Sequence, residues 1–288
     1  MAVASSQLTG NMWKGELALY SDVAAAGDRK KASAKVSTET GCPTVAWLSE
    51  RRLITGCDTG AVSVWDWRGD GGVELLDTKL EHDDVVRSVT VNHDMSKALS
   101  ASDDTTLRVW DMLDDSSTAS LSCLQGHAAS VLAGVWCDPG SQSVASVSKD
   151  GTVCLWDIRK TANPTSVGKL GSSYATSVAW SDSHPNQLIL GHVTGEVAAY
   201  DVRSLGSATK LHAVQKDVIG VLAINNEGYV ASGSDDGTVA VYHLKSDEVV
   251  YTDSSKHTDF VRGLSWDPSN AKCLKSASWD GKVQTHLF

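Results

Sequence analysis

The chain has 288 residues, 35 acidic against 25 basic side chains, and a formal net charge of −10. That balance argues against a nucleic-acid backbone or an anionic membrane surface as the main partner, since such binding needs clustered cations. No apolar run approaches the roughly 20 residues of a membrane-spanning helix, and the opening MAVASSQLTG lacks the basic flank and apolar centre of a signal peptide.

In chain order, short runs with period-two alternation predict strands with one face in a core and the other outside. Val3–Leu8 and Gly15–Tyr20 come first, then an outer strand within residues 21–40, where Asp28-Arg29-Lys30-Lys31 reads as a solvated face. Thr44–Ser49, Arg52–Cys57, Ala61–Trp67 and Glu74–Leu80 follow, and then Val85–Val91, Lys97–Ser102, Thr106–Met112 and Ala119–Leu124. The clearest unit is His127–Ile158, with runs Ser130–Cys137, Ser143–Ser148 and Thr152–Ile158 broken by Asp138-Pro139-Gly140 and Lys149-Asp150-Gly151. Next come Thr176–Trp180, Gln187–Leu190 and Glu196–Val202, then Val218–Ile224, Tyr229–Ser234 and Thr238–Leu244. The last are Phe260–Trp266, Cys273–Ser278 and Lys282–Phe288.

Three registers recur in step. One holds Tyr20, Trp65, Trp110, Trp156, Tyr200, Tyr242 and His286, at gaps of about 42 to 46 residues, a period that fits WD40 repeats. A second is the turn before it: Asp58-Thr59-Gly60, Asp103-Asp104, Asp150-Gly151, Thr194-Gly195, Asp236-Gly237 and Asp280-Gly281. The third is Trp47, Val91, Trp136, Trp180, Ile224 and Trp266. A single four-stranded sheet cannot bury both faces, so such units stack as blades. The expected fold is all-β, a seven-bladed WD40 β-propeller forming one domain, residues 1–288. The first blade should lack its innermost strand and the last its outermost, as in an N-terminally short chain.

His127, Ser146 or Ser148, Asp150 and Trp156 invite a Ser-His-Asp catalytic reading, but His82, Asp104 and Trp110 repeat the pattern. A catalytic triad occurs once and beside a pocket, whereas a hydrogen-bonded chain inside each blade repeats. No phosphate-binding loop and no H-E-x-x-H occurs. The expectation is no enzyme, no cofactor and no metal. Cys42, Cys57, Cys123, Cys137, Cys154 and Cys273 show no zinc spacing and read as free core thiols of a reducing compartment, cytoplasm or nucleus.

Binding remains. Seven of the ten tryptophans fill the two structural registers, and Trp13, Trp67 and Trp279 are left over. Trp13 and Trp279 are expected in exposed turns between second and third strands, as partner-interface anchors, with Lys14 beside the first. Asp83, Asp84, Asp217 and Asp259 lie at the entries to first strands. They would either cap turns or attract a Lys/Arg-rich tail.

The whole chain resembles one family, the WD-repeat subunit of the methylosome. The resemblance rests on Ser5–Tyr20 (S-S-x-L-x-G-N-M-W-K-G-E-L-A-L-Y), Cys57–Trp65, Glu81–Val86, Gly126–Val131, His257–Arg262 (H-T-D-F-V-R) and Ser278–Asp280 (S-W-D). It implies a non-catalytic propeller in a hetero-oligomer with the type II protein arginine methyltransferase, bound to the N-terminal barrel domain of that enzyme. It further implies presentation of histone tails and spliceosomal Sm proteins for symmetric arginine dimethylation, and matches the family's interface tryptophan to Trp13. The chain departs from the family by lacking sequence ahead of the first blade and by carrying His286 where Trp is usual. A different WD40 adaptor, such as a histone chaperone or a ubiquitin-ligase substrate receptor, is the alternative.

Overall fold

A computed structural model describes the chain apart from residues 10–11, 23–25, 27, 70–71, 114–117, 138–139, 141, 161–162, 172 and 182–183, and apart from the side chains of 6–9, 12–13, 29 and 210–211. Among the described residues the regular elements are all strands save one 3-10 turn, Arg29–Lys31, in which Lys30 N donates to the Asp28 side chain. Seven antiparallel sheets follow one another along the chain, the blades of a seven-bladed β-propeller fold.

The first sheet pairs β1 (Ala2–Thr9), β2 (Met12–Leu19) and β3 (Ala34–Thr38); the second β4 (Thr44–Trp47), β5 (Arg52–Gly56), β6 (Ala61–Trp67) and β7 (Val73–Leu80). The third holds β8 (Val86–Val91), β9 (Lys97–Ser102), β10 (Thr106–Asp111) and β11 (Ala119–Gln125); the fourth β12 (Val131–Trp136), β13 (Ser143–Ser148), β14 (Thr152–Asp157) and β15 (Ser166–Lys169). The fifth comprises β16 (Ala175–Trp180), β17 (Gln187–His192), β18 (Glu196–Asp201) and β19 (Ser204–Ala213). The sixth comprises β20 (Ile219–Ile224), β21 (Tyr229–Ser234), β22 (Val239–His243) and β23 (Glu248–Asp253), and the seventh β24 (Val261–Asp267), β25 (Asn270–Ser278) and β26 (Val283–Leu287). As expected, the first sheet has no strand in the first register and the last none in the fourth, among the described residues. The outer strands β15, β19 and β23 were not among the runs that alternation picked out; β15 and β23 are exposed almost throughout, with Gly168 the one buried position of β15.

The chain forms two compact units, Met1–Ser146 with Leu155–Thr165, and Val147–Cys154 with Ser166–Phe288; the fourth sheet draws strands from both. In the first unit, Leu17, Leu19 and Ala34 of the first sheet pack with Leu53 and Trp65 of the second. Ile54, Val62 and Val64 of the second sheet pack with Val86, Val89 and Trp110 of the third. Polar threads join these layers: Val89 N donates to Thr44 Oγ1 (3.1 Å) and Thr90 Oγ1 to Gly134 O (3.2 Å). In the second unit Ile189, Val197 and Ala199 pack with Ile219, Val230 and Tyr242. Ala231, Val239 and Val241 pack in turn with Val261 and Leu274.

This stacking corrects the one-face-in, one-face-out expectation for the second strands. β9, β13, β17 and β21 are buried along their length after the first residue; within the units, Ala98 and Leu99 of β9 meet the second and fourth sheets, and Val230 and Ala231 of β21 the fifth and seventh. Their polar positions are filled by small hydroxyls such as Ser100, Ser146 and Ser232, all fully buried. Alternation survives in outer strands such as β3 and β11.

One extra residue enters each described first strand of the third, fifth, sixth and seventh sheets. Val86 pairs with Ser102 but Ser88 with Ala101; Ala175 with His192 but Ser177 with Gly191; Ile219 with Ser234 but Val221 with Gly233; Val261 with Ser278 but Gly263 with Ala277. Arg87, Thr176, Gly220 and Arg262 are therefore bulge residues, and a bulge re-aims its side chain out of the alternation.

Candidate protein-interaction surface

The repeated histidines lie inside the sheets. In the third sheet Trp110 Nε1 donates to Ser100 Oγ (2.8 Å), which lies 2.7 Å from His82 Nε2, and His82 Nδ1 lies 2.7 Å from Asp104 Oδ2. An indole nitrogen can only donate, so the serine proton goes to His82 Nε2 and the Nδ1 proton to Asp104. Burial holds the His82 imidazole below its usual pKa despite Asp104, so the ring is neutral and the carboxylate ionised. In the fourth sheet Trp156 Nε1 donates to Ser146 Oγ (2.8 Å) and His127 Nε2 lies 2.7 Å from that oxygen, which resolves the choice between Ser146 and Ser148. Ser148 instead accepts from Asp150 N, and Asp150 accepts from Thr152. The seventh sheet repeats the chain with His286 in place of the indole: His257 Nδ1 to Asp280 (3.0 Å), His257 Nε2 to Ser276 Oγ (2.6 Å), Ser276 Oγ to His286 Nε2 (2.7 Å). Ser100, Ser146 and Ser276 are at most 1% exposed. No substrate carbonyl can reach these hydroxyls, so the constellations are scaffold.

The four aspartates at the strand entries divide between the units, Asp83 and Asp84 in the first, Asp217 and Asp259 in the second. Asp84, Asp217 and Asp259 each accept the next amide, from Val85 (2.7 Å), Val218 (2.8 Å) and Phe260 (2.8 Å). Their carbonyls accept from Ser102, Ser234 and Ser278. Asp83 contributes its amide to Asp104. The turn-capping role is thus built for three of the four, while Asp83, Asp84 and Asp217 stay exposed and Asp259 half-buried.

Trp13 lies within β2, paired with Leu8, rather than in the turn between second and third strands. The hairpin is tighter than the sequence pattern suggested, because β1 and β2 pair out to Thr9 and Met12. The Trp13 side chain lies outside the described residues, as does Asn11; Lys14, paired with Gln7, is exposed. Trp279 does lie in the β25–β26 turn and is 64% exposed. Its ring stands 5.2 Å from that of Phe260, and the Arg262 guanidinium carbon lies 5.4 Å from the Phe260 centroid and 6.0 Å from that of Trp279.

The sequence reading missed Phe260 and Arg262. In the turn register Trp279 occupies the place of Asp103 and Asp235. Arg87 pairs with Asp103 of its own sheet, whereas Arg262 reaches back across Gly220 to Asp235 (2.8 Å) and lies against Trp279 on its own. Asp235 Oδ1 is buried without a hydrogen bond, and burial holds this carboxyl above its usual pKa against the pull of Arg262. The motif F-V-R followed by S-W-D was the available signal. The result is an exposed Trp279 with the half-buried Phe260 beside it, backed by an Arg262 that pairs with Asp235. It suits contact with a protein surface. No group of three or more metal-ligating side chains is assembled among the described residues.

Comparison with known proteins gives matches to the WD40 model (WD domain, G-beta repeat) over residues 74–111, 118–157, 208–243 and 248–284. The chain is 31% identical over 290 residues to the Methylosome protein WDR77 of Xenopus laevis, an alignment spanning 99% of this chain and 85% of that one. It is 38% identical over 110 residues to the WD repeat and SOCS box-containing protein 1 of Danio rerio, across 38% of this chain and 24% of that protein. Among solved structures, a chain of a mitotic checkpoint complex crystal structure superposes with a TM-score of 0.78 at 18% identity, covering 100% of this chain and 83% of that chain. That likeness concerns the fold alone.

Proposed function

We propose, from the premise that this chain belongs to the WD40 family of G-beta repeat proteins, that it is a non-catalytic scaffold subunit of a methylosome. In this reading it binds the N-terminal barrel domain of a type II protein arginine methyltransferase and presents histone tails and Sm proteins for symmetric dimethylation, in the cytoplasm and the nucleus. The observation that carries it is the 31% identity to the Methylosome protein WDR77 along 99% of the chain. The site residues add a physical rationale. Trp279, with Phe260 beside it, offers a large rigid apolar area at low entropic cost, and Trp13 with Lys14 is the second anchor. Asp83 and Asp84 in the first unit, and Asp217 in the second, are exposed carboxylates of the kind a Lys/Arg-rich tail would seek, an attraction weakened by salt. The SOCS box relative shares only 110 aligned residues, so the ubiquitin-ligase alternative rests on less.

The test is co-purification of the tagged full chain with the methyltransferase, using Trp13→Ala, Trp279→Ala and the double variant. Loss of a hot spot of about 2 kcal/mol weakens retention roughly thirtyfold. Undiminished capture by the double variant would remove these anchors. Capture of a cullin-type assembly instead of a methyltransferase would replace the proposed function with the alternative.

A further inference from the structure

The six cysteines are all free thiols, but two of them meet. Cys42 Sγ lies 3.5 Å from Cys57 Sγ, both nearly fully buried, in a small cluster closed by Ala61. Three of the other four thiols have different contacts: Cys137 is near its own backbone, Cys154 near Thr152, and Cys123 near Gln125. Cys42 precedes β4 and Cys57 follows β5, just past the rung where Thr44 faces Gly56. Asp58 N donates to Gly41 O (2.9 Å), so the two backbones continue side by side beyond that rung. The 3.5 Å between the sulfurs is about 1.5 Å more than the roughly 2.05 Å of a disulfide bond.

We propose that Cys42 and Cys57 form a modification site, a dithiol that a small peroxide oxidises reversibly to a disulfide.

The surroundings assign the two roles. Cys42 donates to Cys57, and the hydroxyls of Thr40, Thr55 and Ser63 also face the Cys57 sulfur; together they lower its pKa. The same contact with Cys57, joined by burial, raises that of Cys42. Cys57 is therefore the attacking thiolate and Cys42 the resolving thiol. The Cys57 sulfur attacks one oxygen of hydrogen peroxide. The O–O bond breaks, and hydroxide leaves and takes up the Cys57 proton as water. Cys57 is now a sulfenic acid, and its negative charge no longer opposes ionisation of Cys42. The Cys42 sulfur then attacks Cys57, the S–S bond forms, the S–O bond breaks, and the departing hydroxide carries off the Cys42 proton as a second water. Two thiols and one hydrogen peroxide thus give one disulfide and two waters, and a thiol reductant reverses the change. The bond would tie the loop ahead of β4 to the end of β5. There the Cys57 carbonyl already accepts from Gly60 N (3.2 Å) and, in the third sheet, from Val86 N (3.1 Å).

The test treats the folded full chain with hydrogen peroxide, alkylates the remaining thiols under denaturing conditions and maps the peptides by mass. The expected product is a Cys42–Cys57 linked peptide about 2 Da lighter than the two thiol peptides together, lost on adding dithiothreitol. It should form at least about tenfold faster than any oxidation of Cys137 or Cys154. Cys42→Ser should stop at a Cys57 sulfenic acid that dimedone traps, and Cys57→Ser should leave Cys42 reduced. The proposal is overturned if Cys42 and Cys57 stay alkylatable in the treated parent chain, if another pairing forms, or if they oxidise no faster than Cys137 and Cys154. The parent chain alone decides this, whether or not the variants fold.

Discussion

Ser100→Ala removes the central atom of the third sheet's polar chain. Ser100 is fully buried, and its hydroxyl serves both Trp110 Nε1 and His82 Nε2. Alanine leaves two buried polar atoms without a partner. Trp110 is fully buried and His82 2% exposed, so water cannot replace the lost hydroxyl. Each orphaned atom costs about 1–3 kcal/mol, about 2–6 kcal/mol for the pair. Taking about 3 kcal/mol as the expected loss, and an unfolding entropy of about 2.1 cal/mol/K per residue, a chain of 288 residues melts roughly 5 °C lower. Differential scanning calorimetry or urea titration followed by tryptophan fluorescence measures it. Trp110→Phe removes the indole donor, so in the Ser100→Ala background it should cost less than it does alone, with a coupling of about 1–2 kcal/mol. A Ser100→Ala protein melting within about 2 °C of the parent, or strictly additive variants, would refute the idea that this hydroxyl joins the two rings.

Other consequences are equally direct. Burial lowers the pKa of His286 from 6.5 to about 4. The unfolded chain then takes up the proton first, so this contribution to stability is present above about pH 6.5 and is lost as pH falls towards 4; His286→Gln should flatten that part of a urea-midpoint profile. Gly195 has φ +86 and a Cβ there would run into the Gln215 carbonyl, so Gly195→Ala should destabilise by about 2 kcal/mol or more in the same titration. Thr105 holds φ 73 with a branched side chain in the equivalent turn; Thr105→Gly should be neutral to stabilising by up to about 1 kcal/mol. Trp279 is 64% exposed, so Trp279→Ala should move the midpoint by no more than about 0.5 kcal/mol, which separates a binding defect from unfolding.

Much of the scaffold follows from local pattern. Strands β9, β13 and β21 match runs read from alternation and turn residues alone, because a turn such as Asp236-Gly237 needs only its own residues to form. The tryptophan register was equally legible, since an indole inside a sheet needs one acceptor ten residues back, as Trp110 finds in Ser100 and Trp156 in Ser146. Burial of the second strands on both faces was not legible. It depends on the sheets stacked against them, and Ala and Ser look polar-tolerant in isolation.

The candidate surface divides in the same way. Trp279 was found because it was surplus to the repeat. Phe260 and Arg262 were not, because their meeting depends on a bulge at Arg262 and on Asp235 arriving from another sheet. Likewise, Cys42 and Cys57 lie 15 residues apart with no motif spacing, and only the pairing of β4 with β5 brings their sulfurs together. What the chain determined by itself is the repeat: seven sheet units, each fixed by turns and alternation within about 45 residues. Which side chains face one another between those units was decided by tertiary packing. Such contacts join residues far apart in sequence, and no local propensity encodes them.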